Sequence, residues 1–342
     1  MSSKLPSTKE IAKRLNVSVS TVSRALNNHP RIGISTKEKV KKLAEELGYE
    51  PNTQAIFFKQ SKTMVIGVIL PSIKEGFFSE AISGMEEAAL QHDYTILFGQ
   101  SYDDLEKEKK IVATMRKKRV DGLIISLSKQ TNTYEHLLQL EKYKIPVIYF
   151  DRIPAIKNVH KIFCNLYNGT VELIEWLFDK GQRKIAFING PDKLVASKER
   201  LQGYIDGISR QKLKVDMQFV EKTDLTKEST QQAVKKLFQL KNTPNAIICF
   251  NDYVYLDAVQ CAERMGIKIN KEVLFVSYAN LPITEYTAHP PVASLEQFPY
   301  LQGEKTMTHM INLLNKPKQE HASEEYIQEE LKARLIISNT II

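Results

Sequence analysis

Residues 18–27, SVSTVSRALN, place four hydroxyls, one guanidinium and one carboxamide within about three helical turns. At helical spacing Val22, Ala25 and Leu26 share one face, which leaves Val19, Ser20, Thr21, Ser23, Arg24 and Asn27 on the other. A short polar face ending in arginine suits a helix that enters the major groove of DNA and hydrogen-bonds to base edges. Bond-making chemistry has little support elsewhere. The chain has no glycine-rich phosphate loop, nucleophile elbow or His-Glu metal pattern. Its seven histidines are scattered, and His160, His289 and His309 read as surface or crossover positions. Cys164, Cys249 and Cys261 sit in apolar runs with no metal-ligand spacing and imply no disulfide framework. No cofactor and no metal is expected.

The elements that position this face can be read locally. Ser7-Thr8-Lys9-Glu10 has the form of a capping box, followed by the apolar face Ile11, Ala12 and Leu15. Asn16 tolerates the left-handed backbone of a tight turn, and Ser18 can cap the second helix. Ser35-Thr36-Lys37-Glu38 reads as a second capping box, with Val40, Leu43, Ala44 and Leu47 as the apolar stripe; Gly48 and Pro51 stop that helix. Two short helices joined by a tight turn and braced by a third follow the helix-turn-helix plan. A three-helix protein-interaction module is the alternative reading.

Charge favours the first reading. Residues 1–62 hold 12 Lys/Arg against 5 Asp/Glu, while the other 280 hold 36 against 35. Nearly all of the chain's net +8 therefore lies in its first fifth, where a polyanion would bind. No apolar run approaches the ~20 residues of a membrane span. The N-terminus shows no apolar signal region, so a cytoplasmic protein without a membrane partner is expected.

The strings Thr8-Lys9-Glu10-Ile11-Ala12, Val17 through Asn27 and Leu47-Gly48-Tyr49-Glu50-Pro51-Asn52 resemble the headpiece of the lactose-repressor/galactose-repressor (LacI/GalR) family. The turn departs from the family, with Asn16 where glycine is usual, and so does the loop from Asn28 to Ile34. The resemblance implies a hinge helix after Pro51-Asn52 that forms on operator DNA and wedges apolar side chains into the minor groove. Ala55-Ile56-Phe57-Phe58-Lys59 occupies that position, with Phe58 where the wedge falls. Packing between headpiece and core is the alternative role for Phe57 and Phe58. The implied DNA-contacting set is Thr8, Val19, Ser20, Thr21, Ser23, Arg24, Asn27, Asn52, Ala55, Phe58 and Lys59.

From Val65 onward, apolar runs of strand length alternate with helical patterns. The runs are Val65–Leu70, Tyr94–Phe98, Gly122–Ser126, Val147–Phe150, Ile185–Ile188, Ala246–Phe250 and Val273–Tyr278. Between them lie amphipathic stretches such as Glu80–Gln91, Leu105–Lys118, Gly169–Lys180 and Thr230–Leu240. Such alternation predicts parallel sheets covered on both faces, and this length exceeds one comfortable core. Two lobes are expected, with ligands at the carboxyl ends of the strands.

Asp121-Gly122-Leu123-Ile124-Ile125, Asp151-Arg152 and Gly181-Gln182-Arg183-Lys184-Ile185-Ala186 extend the resemblance. It implies a periplasmic-binding-protein-like α/β core of two doubly wound parallel-sheet lobes behind an all-α headpiece. The expected division is 1–50 for the headpiece, 51–63 for the hinge and 64–342 for an effector-binding and dimerisation core. Lobe 1 is expected at about 64–160 and 290–320 and lobe 2 at about 161–289 and 321–342, with crossings near Lys161, His289 and Glu320.

Carried over position by position, the resemblance puts Glu75, Phe77, Phe78, Asn165, Arg200, Asp252, Gln297 and Phe298 at the cleft. An aromatic face with Arg, Asp and Gln suits a sugar; an interlobe salt bridge is the alternative role for Arg200 and Asp252. Three family positions differ: Asn165 and Ala279 replace aspartates, and Ser338 falls where an arginine is usual. Those losses leave open a phosphorylated, acidic or uncommon sugar, or a pocket partly retired. The implied protein is a homodimeric regulator, in the sense of a repressor, that binds near-palindromic double-stranded operator DNA under control of a small molecule. A plain sugar-binding protein does not explain the headpiece, and a sugar-metabolising enzyme requires a catalytic constellation that the cleft lacks.

Overall fold

Thr8–Arg14 (α1), Val19–Leu26 (α2) and Ile34–Glu46 (α3) form a three-helix unit in the computed structural model, which describes residues 6–49, 62–316 and 326–338. Its contacts divide the chain into Met1–Thr63 and Met64–Ile342. In the first unit the predicted stripes meet: Ile11, Ala12, Val22, Ala25, Val40 and Ala44 are buried together. Each larger aliphatic chain so buried contributes about 1.5–3 kcal/mol, and Ala12 is small enough to let the helices approach. Asn16 takes the left-handed backbone of the turn (φ 52°).

The caps differ in part from expectation. Ser7 caps α1 through the N–H of Glu10, but the Glu10 carboxylate turns forward to Arg14 at 2.8 Å rather than back to the cap. The third helix begins before Ser35. Gly33 is its N-cap, its carbonyl taking the N–H groups of Thr36 and Lys37 at 3.1 Å, so Ser35 lies inside the first turn and cannot cap it.

The second unit contains two six-stranded sheets. Lobe 1 is built on β1 (Val65–Leu70), β2 (Thr95–Gln100), β3 (Gly122–Ile125), β4 (Val147–Phe150), β5 (His160–Asn165) and β11 (Gln328–Lys332), in the order β11-β5-β4-β3-β1-β2. Lobe 2 holds β6 (Ile185–Asn189), β7 (Val220–Lys222), β8 (Ala246–Cys249), β9 (Leu274–Ala279), β10 (Ala293–Glu296) and β12 (Arg334–Ile337), in the order β12-β10-β9-β8-β6-β7. Every pairing is parallel except β10 with β12. Central strands such as VIGVIL and AIIC are buried on both faces, which is why they read as unbroken apolar runs.

Helices cover both sheets: α4 (Gly76–Leu90), α5 (Leu105–Lys117), α6 (Glu135–Leu138), α7 (Leu166–Asp179), α8 (Val195–Arg210), α9 (Lys227–Gln239), α10 (Asp252–Arg264) and α11 (Pro299–Asn315). The tightest crossing is α4 on α11. A Cβ on Gly303 would stand 1.9 Å from the Ala81 carbonyl oxygen, and one on Gly84 would stand 2.1 Å from that of Tyr300. Only glycine permits backbones this close.

Sheet membership moves all three predicted crossings. β5 completes the first sheet between β4 and β11, so the chain leaves lobe 1 after Asn165 rather than near Lys161. β10 pairs with β9, so the return follows Glu296 rather than His289. The last crossing is Ala333, buried between β11 in one lobe and β12 in the other, and not near Glu320. In each case the chain runs through a strand first and crosses at its end, because the cleft lies at the carboxyl ends of the strands.

Candidate functional site

The first unit exposes the polar face of α2 as the helical register requires. Ser18 caps α2 by accepting the Thr21 N–H at 3.1 Å, and its hydroxyl also bonds to those of Ser20 and Thr21, both at 2.8 Å. Thr21 is thereby half-buried in the cap, whereas Val19, Ser20, Ser23, Arg24 and Asn27 are exposed. The Asn27 amide donates to the Ser23 carbonyl at 2.8 Å and closes the helix. Thr8 sits half-buried in the first turn of α1. Asn52, Ala55, Phe58 and Lys59 lie outside the described residues.

The interlobe cleft is assembled from strand ends. In lobe 1, Arg152 follows β4 and is buried; it donates to Asp103 at 2.6 Å, lies 3.7 Å from Glu75 and stands 5.4 Å above the Phe78 ring. Burial raises the Glu75 and Asp151 carboxyl pKa values, against the pull of Arg152. In lobe 2, the Arg200 guanidinium lies between two rings, 4.0 Å from Phe250 and 4.5 Å from Tyr278. Burial lowers its pKa, with Tyr278 and Asp151 opposing. Its Nε and Nη1 are buried with no hydrogen-bond partner among the described residues.

Asp252 begins α10 and is fully buried. Its Oδ2 accepts the Leu281 N–H at 2.7 Å, its Oδ1 has no partner among the described residues, and burial pushes the carboxyl up to about 7. This bond holds the end of β9 and the loop beyond it, where Ala279 and Asn280 both take positive φ (94° and 56°). No ion pair joins Arg200 to Asp252; the interlobe polar contacts run elsewhere. Tyr253 of lobe 2 bonds to the backbone of Lys74 and Gly76, and the Lys129 ammonium of lobe 1 donates to the Asp224 carbonyl at 2.8 Å.

The other expected cleft residues have structural partners. Asn165 caps α7 by accepting the Asn168 N–H at 2.9 Å, and its amide donates to Glu330, so both polar ends are occupied. Phe78 is 1% exposed and packs edge-on against Phe77 and Phe150, making it a core residue beneath Arg152. Phe77 is also buried. Gln297 is buried at the second crossing. Phe298 follows in left-handed backbone (φ 55°), its N–H given to Glu296 at 2.7 Å and its ring covered by Arg334 at 5.2 Å. Phe250, Tyr253, Tyr278 and Asp103 were not anticipated. Phe250 and Tyr278 carried a signal, each as the last residue of an apolar run of strand length.

Among the described residues, no group of three or more His, Cys, Asp or Glu is arranged to hold a metal ion. No described helix is long and apolar enough to cross a membrane.

A helix-turn-helix followed by two parallel-sheet lobes around a polar, aromatic cleft defines a DNA-binding regulator with a ligand-binding-type core. Residues 7–52 match the bacterial regulatory proteins of the lacI family, and residues 63–337 match the periplasmic binding proteins and sugar binding domain of the LacI family. The chain belongs to the LacI family and is a helix-turn-helix transcriptional regulator. It is 28% identical over 299 residues to the HTH-type transcriptional repressor CytR of Escherichia coli (strain K12), covering 87% of each chain. Against catabolite control protein A of Priestia megaterium the identity is 28% over 308 residues, covering 90% of this chain and 92% of the relative. Among solved structures, the lac repressor dimer bound to operator and the anti-inducer ONPF superposes with a TM-score of 0.82 at 22% identity, over 97% of this chain and 98% of that one. A complex of the transcriptional regulator CelR with cellobiose gives 0.71 at 22% identity, over the same shares.

Proposed function

We propose that this regulator is a cytoplasmic repressor that binds a near-palindromic operator as a homodimer and is controlled by a neutral, hydroxylated small molecule held between its lobes. The observation that carries the ligand reading is the pair of buried, unpartnered groups in lobe 2: Nε and Nη1 of Arg200 and Oδ1 of Asp252. Leaving a buried polar atom unpaired costs about 1–3 kcal/mol, so three such atoms at strand ends are expected to have a ligand as partner. The Phe250 and Tyr278 rings hold the guanidinium flat while leaving its N–H groups free to donate.

Arg152 is already engaged by Asp103 and Glu75, so Arg200 is the cleft guanidinium with unpartnered N–H groups. One such cation beside a carboxyl that burial pushes up to about 7 favours a carbohydrate or carbohydrate derivative without net charge over a phosphorylated one. The repressor sense rests on relatives that are named repressors. Asn165, Phe78 and Phe298 leave the proposed contact set because each is held by other parts of the chain.

A thermal-shift screen of sugars, sugar phosphates and nucleosides on the full chain tests the reading, repeated on Arg200→Ala. A neutral hydroxylated ligand that stabilises the wild type and not the variant is expected. Equal stabilisation of both removes Arg200 from the site, and a response confined to phosphorylated compounds overturns the charge argument.

A further inference from the structure

The five parallel strands β1 to β5 begin at the same end of lobe 1, the end where the chain enters from the headpiece: the Met64 N–H is tied to Asp121 Oδ2 at 2.8 Å. The loops at that end are basic. Arg116 and Lys117 finish α5, Lys118 and Arg119 follow, and Lys142 and Lys144 precede β4. Lys117, Lys118, Arg119, Lys142 and Lys144 are exposed. Arg116 joins the two loops, stacking 4.7 Å over the Tyr143 ring and donating to its hydroxyl at 3.2 Å. Among the described residues of the segments leading into β2, β3 and β4, the acidic ones are Asp93, Asp121 and Glu141, Asp121 being engaged with Met64.

Cations at a helix carboxyl end are favoured by the helix itself. That accounts for Arg116 and Lys117. Lys142 and Lys144 stand at the end of Gln139–Tyr143, a 3-10 segment that continues the four-residue helix α6, and the small dipole of so short a run accounts for them only in part. Residues 63–342 as a whole hold 36 Lys/Arg against 35 Asp/Glu, and the strand-carboxyl end of the same lobe carries Glu75, Asp103, Asp104 and Asp151. Lobe 1 therefore concentrates positive charge at the end from which the DNA-reading unit is tethered.

We propose that this surface, Arg116 to Arg119 with Lys142 and Lys144, is a second DNA-contacting site that grips the phosphates of duplex flanking the operator. It reads no sequence, since lysines on loops meet phosphate as point charges. Its contribution is affinity that depends on duplex length and on salt.

The test uses the full chain in which Lys117, Lys118, Lys142 and Lys144 are all changed to Gln; these exposed positions leave the core packing intact. Operator affinity is measured across a salt series on a minimal site and on the same site with long flanks. The comparison protein carries the same charge loss at the opposite end of the core, in lobe 2, with Lys184, Lys212, Lys241 and Lys271 changed to Gln. On the flanked site the lobe 1 variant should bind about tenfold more weakly at low salt, with a salt slope smaller by ~2 or more, given ~0.9 per phosphate contact. On the minimal site it should match the wild type. Equal loss on both sites, equal loss in the lobe 2 variant, or no loss at all each overturns the proposal.

Discussion

The hydroxyl of Tyr253 in lobe 2 accepts the backbone N–H of Gly76 in lobe 1 at 2.9 Å, and it donates to the Lys74 carbonyl at 3.0 Å. One side chain thus pins both sides of Glu75 to the opposite lobe. At about 0.5–1.5 kcal/mol per net hydrogen bond, Tyr253→Phe should weaken lobe closure by ~1–3 kcal/mol. Amide exchange at Gly76 should speed up by at least ~5-fold. Unchanged protection would show that closure does not depend on this contact.

Arg24 should discriminate between sequences. Its side chain is exposed on the reading face of α2, with no ion pair among the described residues to hold it back. Arg24→Ala should lose about 1–3 kcal/mol of preference for operator over random duplex, the worth of a good bidentate contact. Competition binding separates the alternatives, because equal losses on both DNAs would make Arg24 a phosphate contact.

Asp252 should make the core less stable as pH rises. Its folded pKa is about 7, against an unfolded value of about 3.9. The folded state therefore holds a proton that the unfolded state has released. The stabilising contribution is complete below about pH 4 and is lost as pH climbs through 7. Melting temperature should fall between pH 5 and 8, and Asp252→Asn should remove a pH-dependent contribution of order 2–4 kcal/mol. Glu75 and Asp151, raised in the same direction, leave a residual slope of the same sign. A variant with the full wild-type slope would assign the titration elsewhere.

Gly303→Ala should be among the most damaging small substitutions in the chain. The atom its Cβ meets at 1.9 Å is a backbone oxygen of α4, so α4 and α11 must separate. A cost of at least ~3 kcal/mol is expected, at the upper end of overpacking, read as a lowered urea midpoint. Gly33→Ala is the steric contrast: its Cβ would meet nothing within 4 Å, so only the poorer capping of α3 by alanine, of order 0.5–1 kcal/mol, should be felt.

The local periodicities alone determined the headpiece. The stripe Ile11, Ala12, Val22, Ala25, Val40, Ala44 and the left-handed turn at Asn16 follow from spacing and backbone preference, which act over a few residues. The same holds for β1, β3 and β8, whose burial on both faces requires unbroken apolar runs. β5, β10 and β11 were not legible, because HKIFCN, ASLE and QEELK are half-polar edge or near-edge segments that become strands through pairing with residues far away in the chain. Their omission misplaced every crossing. At the cleft, Arg200 and Asp252 could be carried over from motifs, but their unpartnered atoms and the rings around Arg200 could not. Tyr253 had no signal at all, since its role depends on the Lys74 and Gly76 backbone, 179 and 177 residues away. Which polar atoms are already satisfied is a property of three-dimensional neighbours, and only the tertiary structure decided that Asn165 is a helix cap while Arg200 Nε and Nη1 are buried with no hydrogen-bond partner among the described residues.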